Sequence, residues 1–279
     1  CWRYGWRGRW CWRCGRGMSL ERFDALSEGL AEGVRAHDGL FGLVLLGSAS
    51  DEASARRDEW SDHDFFALIE SGRGAEVRPD LSWLPDQERL VLTAREGEIG
   101  FVAVYDDGHV FEFAFSEVEE LAGAVAGEST VVLDDADASL AALIARARER
   151  AAATDQFDPL NDTRLVLVKL LIGTGRVRRG EVLGGGELVR QWAVKHLVRA
   201  LRGRFSDRSA TLRDTIDPVR RFERDFAEWG ERIATILSQP LEPAARELFA
   251  FTREVLEPGW PEFPSRAADA VADRLGWPR

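Results

Sequence analysis

The periodicity of apolar positions divides this chain into two halves. Leu20, Phe23, Leu26, Leu30 and Val34 recur at helical spacing and predict an amphipathic helix with one buried face. Short apolar runs bounded by turn residues follow, each the length of a strand. They are "GLFGLVLLG" (39–47), "DHDFFALIE" (62–70), "RLVLTARE" (89–96), "IGFVAVYDDG" (99–108) and "HVFEFAFS" (109–116), with "STVVLDD" (129–135) placed to close the sheet. Asp107-Gly108 between the fourth and fifth runs is a hairpin signal. The helical period returns at 138–153 and persists to the C-terminus, with helices expected over 162–180, 187–204, near 217–238 and over 241–256. The glycine-rich "GEVLGGGE" (180–187) lacks the Lys-Ser/Thr of a phosphate-binding P-loop and reads as a helix–helix turn. The expected fold class is α+β: a mixed sheet with flanking helices, then a helical bundle.

A chain of 279 residues is long enough for two domains of ordinary size. The change of pattern at 154–160 puts the expected domains at 18–155 and 156–279. Residues 1–17 read differently, with all three cysteines, four tryptophans, five arginines and no acidic residue. They are expected to be a non-native or disordered extension, with Met18 as the natural start. Cys11 and Cys14 have zinc spacing, but no second Cys/His pair at such spacing answers them.

Charge narrows the partners. Without the five arginines of residues 1–17 the net charge of −11 becomes −16, and no basic stripe interrupts it, so nucleic acid is not an expected partner. Small or cationic molecules suit such a surface better. No stretch approaches the roughly 18 continuous apolar residues of a membrane helix, and the expected location is cytoplasmic, as a monomer or homodimer.

The candidate chemistry lies in "LLGSASDEASARRDEWSDHDFF" (45–66). On a strand, Asp62 and Asp64 project from one face with Cα atoms about 6.6–6.8 Å apart. Two like charges so placed are costly unless something positive joins them, and paired magnesium ions about 3.5–4 Å apart are one such occupant. Glu112, between Phe111 and Phe113 in a run otherwise apolar, is the candidate third carboxylate. Gly47-Ser48 ends a buried strand, where glycine lets a phosphate approach the backbone and serine adds a hydroxyl. Arg56 and Arg57 are read as solvated loop charges or, less simply, as phosphate ligands. His63-Asp64 also suggests a metal phosphohydrolase, but on a strand these two residues face opposite sides.

The succession Gly47-Ser48, spacer, Asp62-x-Asp64 and Glu112 resembles the polymerase-beta-like nucleotidyltransferase superfamily, in particular its lincosamide and aminoglycoside nucleotidyltransferase branch. "RRGE" (178–181) after an apolar helix is similar to the lincosamide enzymes. The resemblance implies that Ser48 contacts a nucleoside triphosphate, with ATP the expected one. It further implies that Asp62 and Asp64 hold Mg2+, and that Glu112 is general base or third ligand. Gly47, Ser48 and Lys169 are the implied nucleotide-binding residues, although an ordinary surface lysine is the simpler reading of Lys169. The implied reaction moves a nucleoside monophosphate to a hydroxyl of a small acceptor bound between the two domains and releases pyrophosphate. A regulatory or antitoxin-like protein that modifies a protein partner is the alternative. The spacer from Ser48 to Asp62 is longer than is usual in the superfamily, and Glu112 stands where Asp is commoner.

Overall fold

The structure is a computed structural model that describes residues 19–208 and 214–279; the expected extension at 1–17 lies outside the described residues. The chain divides after Ala151 into two compact units. The first opens with α1 (Leu20–Ala36), whose N-cap Ser19 accepts from the Arg22 N–H at 3.1 Å. Such a cap satisfies one of the otherwise unpaired N–H groups of the first turn. Phe23, Leu26, Leu30 and Val34 are buried as the period predicts, but Leu20 is exposed in the first turn.

Among the described residues six strands follow: β1 (Leu40–Leu46), β2 (His63–Ile69), β3 (Leu90–Glu96), β4 (Gly100–Tyr105), β5 (Val110–Ser116) and β6 (Ser129–Leu133). One short helix, α2 (Gly74–Val77), precedes β3, and α3 (Ser139–Thr154) follows β6. The strands form one sheet in the order β3-β4-β5-β2-β1-β6. Only β2 and β5 are parallel neighbours; the other pairs are antiparallel. The Asp107-Gly108 turn joins β4 to β5, and the Gly108 N–H donates to the Tyr105 carbonyl at 2.9 Å.

Alternation along β2 assigns its residues to two faces. His63, Phe65, Ala67 and Ile69 are buried, and the last three belong to a core with α1 and with Phe111, Phe113 and Phe115 of β5. Phe65 and Phe113 stack with ring centroids 4.7 Å apart. Phe66 and Leu68 face the other way, into a smaller core with Val44, Ala114 and Leu140, Leu143, Ile144 and Ala147 of α3. Asp64 shares the parity of Phe66, so it lies at the far end of the face that α3 partly covers; Asp62 immediately precedes β2, which begins at His63 rather than at Asp62 as the sequence suggested.

Gly33 shows how closely α1 is seated. A Cβ there would lie 1.9 Å from the Trp83 carbonyl oxygen, so glycine is demanded although it costs a helix interior about 1 kcal/mol relative to alanine. Gly33→Ala is therefore expected to lower stability by about 1–3 kcal/mol, the ordinary cost of overpacking, despite the better helix former. A urea titration checks this; a stabilised variant would show that the close approach does not exist.

The second unit contains only helices among its described residues: α4 (Pro159–Arg178), α5 (Val182–Glu187), α6 (Val194–Arg204), α7 (Phe222–Asp225), α8 (Ala227–Leu237), α9 (Leu241–Leu256) and α10 (Ser265–Leu275), with a π-helical segment, Leu188–Ala193, before α6. Its core includes Leu167, Leu170, Leu197, Leu201, Phe249 and Ala272. Arg202 and Asp225 form a buried ion pair at 2.5 Å, and Arg202 Nε also donates to the Pro218 carbonyl at 2.8 Å.

The segment 180–187 corrects the sequence expectation, because only its start is a turn. Gly180 has φ +84°, but Gly184, Gly185 and Gly186 lie within α5. A Cβ on Gly185 would stand 2.6 Å from Val177 Cγ2 and 2.8 Å from the Gly173 carbonyl oxygen. Here glycine serves a close helix–helix approach. No helix among the described residues is long and apolar enough to cross a membrane.

Candidate active site

β1 ends in a turn that requires glycine. Gly47 has φ +50°, a left-handed conformation that costs residues with a Cβ. The Gly47 N–H donates to the Glu128 carbonyl at 2.9 Å, and the Gly47 carbonyl accepts from the Ser50 N–H at 3.1 Å and the Ser50 hydroxyl at 2.8 Å. Ser48 Oγ donates to the Asp62 carbonyl at 3.0 Å and stands 3.3 Å from Asp62 Oδ1. The Gly-Ser turn is thus joined directly to the first of the two aspartates.

The long spacer is ordered. Asp51–Arg56 forms a 3-10 helix. The Asp51 N–H donates to Thr130 Oγ1 at 2.9 Å, Glu52 pairs with Arg148 at 2.6 Å, and Arg56 pairs with Glu128. Arg57 donates through Nε to the Ser48 carbonyl and through Nη2 to the Ala49 carbonyl, both at 2.8 Å, and to the Ser50 carbonyl at 3.1 Å. Neither arginine is the solvated loop charge that the sequence suggested.

Strand register sets the carboxylates. Asp64 pairs with Leu46 of β1 on one side and with Glu112 of β5 on the other. Gly47 follows Leu46, and a Cβ added to it would lie 3.5 Å from Asp64 Oδ2. The turn, Asp64 and Glu112 therefore occupy neighbouring positions on three adjacent strands. Asp62 and Asp64 are half-buried and Glu112 is exposed. Among the described residues no group of three His, Cys, Asp or Glu side chains is gathered closely enough to hold a metal ion. The donor chemistry nevertheless fits magnesium, which prefers hard oxygen ligands and is usually held by one or two carboxylates plus substrate phosphates and water.

Lys169 belongs to α4 of the second unit, where its ammonium lies 5.6 Å from the centroid of the Trp192 ring. A cavity of about 380 Å3, lined in part by Phe41, Ile69 and Ser139, lies at the opposite end of β2 from Asp62.

Behind the carboxylates, on the opposite face, lies a histidine pair that sequence reasoning missed. His63 Nδ1 is 2.7 Å from His109 Nε2, and His63 Nε2 is 2.8 Å from Ser27 Oγ. Phe23 stacks on the His63 ring at 3.8 Å. A single proton can occupy the link between the two imidazoles, so protonating both rings would set two N–H groups against each other. Burial, with repulsion from His109 and Arg57, lowers the His63 pKa to about 2. Burial also lowers that of His109 to about 4, against the opposing pull of Asp107 and Asp62. The only signal in the sequence was that His109 precedes the Phe111-x-Phe113 alternation with the same parity.

No protein-family model matches this chain, and no curated protein matches it. Among solved structures, an aminoglycoside 6-adenyltransferase from Bacillus subtilis is similar at 10% sequence identity and a TM-score of 0.25, covering 91% of each chain. At that score the likeness supports no conclusion about this protein.

Proposed function

We propose that the first unit is a nucleotidyltransferase of the polymerase-beta-like kind, moving a nucleoside monophosphate from a triphosphate such as ATP to a hydroxyl of a small acceptor. One observation carries this reading: register brings the Gly47-Ser48 turn, Asp64 and Glu112 side by side on β1, β2 and β5, with Asp62 bound to Ser48. The turn seats the non-reacting phosphates. Asp62 and Asp64 are the residues to hold magnesium, which when bound neutralises charge on the phosphate oxygens. Glu112, exposed beside Asp64, accepts the hydroxyl proton as the acceptor oxygen bonds to the α-phosphorus and the bond to the leaving pyrophosphate breaks. Neither antibiotic class, aminoglycoside or lincosamide, is selected by these residues.

Pyrophosphate release tests the reading. With ATP, magnesium and a panel of aminoglycosides, lincosamides and other hydroxyl-bearing acceptors, release is expected to depend on one of them. Release with no small acceptor, accompanied by nucleotide bound to protein, would overturn it. In the same assay Ser48→Ala is expected to raise KM for ATP about tenfold, the scale of one hydrogen bond to a charged group, with a smaller effect on kcat. A thousandfold loss of kcat at unchanged KM would instead place Ser48 in the transition state.

A further inference from the structure

Arg57 is the residue of the spacer with the most unusual surroundings. Three successive carbonyls, those of Ser48, Ala49 and Ser50, converge on its guanidinium at 2.8–3.1 Å. Its Nη1 reaches Asp24 at 3.2 Å, and the side chain is only 12% exposed. The guanidinium also lies 4.8 Å from the centroid of the Phe23 ring, whose stacking partner is His63. With these donors directed at backbone oxygens and Asp24, Arg57 is engaged in holding the turn rather than in meeting a phosphate.

The consequence runs through Ser48. Its carbonyl is fixed by Arg57 Nε, while its hydroxyl donates to the Asp62 carbonyl and lies within reach of Asp62 Oδ1. We propose that Arg57 is a positioning residue of the active site: it sets the Gly47–Ser50 turn on which a triphosphate seats and, through Ser48, the placement of Asp62. This rests on the nucleotidyl-transfer reading. Lysine cannot replace it, because an ammonium is a compact charge without the planar fork that spans several carbonyls.

The test uses the full chain and MgATP, comparing the parent, Arg57→Lys and Arg57→Ala. Both variants are expected to raise KM for ATP tenfold or more, with lysine giving little rescue. Ethylguanidinium in the buffer is expected to restore much of the KM of Arg57→Ala, and ethylammonium is not. Should Arg57→Ala fail to fold, Arg57→Lys carries the comparison. Lower melting temperatures with KM within twofold of the parent would show a merely structural arginine and overturn the proposal alone. A parent that neither binds nor uses MgATP would overturn the nucleotidyl-transfer reading, and the role of Arg57 with it.

Discussion

Asp64→Asn is expected to abolish nucleotidyl transfer, a loss of at least about 10²–10³, the scale of removing one preorganised charge-stabilising group. It is also expected to abolish the stabilisation that magnesium and nucleotide give together. A ligand at 100 times its Kd stabilises a folded protein by about 2.7 kcal/mol, so calorimetry with magnesium and a non-hydrolysable ATP analogue has a clear signal to lose. The metal-free variant should be no less stable than the parent. Asp64 lies directly across from Glu112, and like charges in that relation are destabilising. Glu112→Gln should behave differently. Loss of a general base costs about 10²–10⁴ in rate, but Asp62 and Asp64 remain, so the variant should still bind and be stabilised by the analogue. An Asp64→Asn protein that keeps the nucleotide response would make Asp64 a structural residue.

The second large effect is a loss of stability on mild acidification. Folding holds His63 and His109 neutral down to about 2 and about 4, whereas in the unfolded chain both imidazoles protonate near pH 6.5. Below that value the unfolded state binds up to two more protons than the folded one, so stability falls as pH falls. It is fully present above pH 6.5 and declines through the window down to about 4, beyond which only His63 adds to the slope. From pH 7 to 5 the expected loss is about 4 kcal/mol for the pair. Carboxylates depressed by their partners, such as Asp80 and Glu117, act only at lower pH, so the upper window belongs to imidazoles. Urea titrations at the two pH values measure the effect, and His109→Gln should remove about half of it. A parent equally stable at pH 7 and pH 5 would contradict the buried neutral pair.

What the sequence revealed of this site was local. Alternation alone put Asp62 and Asp64 on one face and His63 on the other, and Gly47 was recognisable because a buried run ended there. Glu112 stood out as a charge between phenylalanines. Its place beside Asp64 was not legible, since it depends on β5 lying parallel to β2 after the β3-β4 pair intervenes in the chain. Arg57 was misread because contacts from a side chain to backbone carbonyls leave no pattern of residue types. The glycines of α5 were misread because glycine signals a turn and a close packing contact alike. α10 was not singled out within a half that was nevertheless recognised as helical.

The fate of the phosphates tests the central claim most directly. The protein is incubated with magnesium, a productive acceptor and ATP labelled at either the α or the γ position. The site described here predicts α-label in the acceptor product and γ-label in pyrophosphate, with neither product formed by Asp64→Asn. Transfer of γ-label to the acceptor, release of γ-label as free phosphate, or undiminished transfer by Asp64→Asn would contradict it.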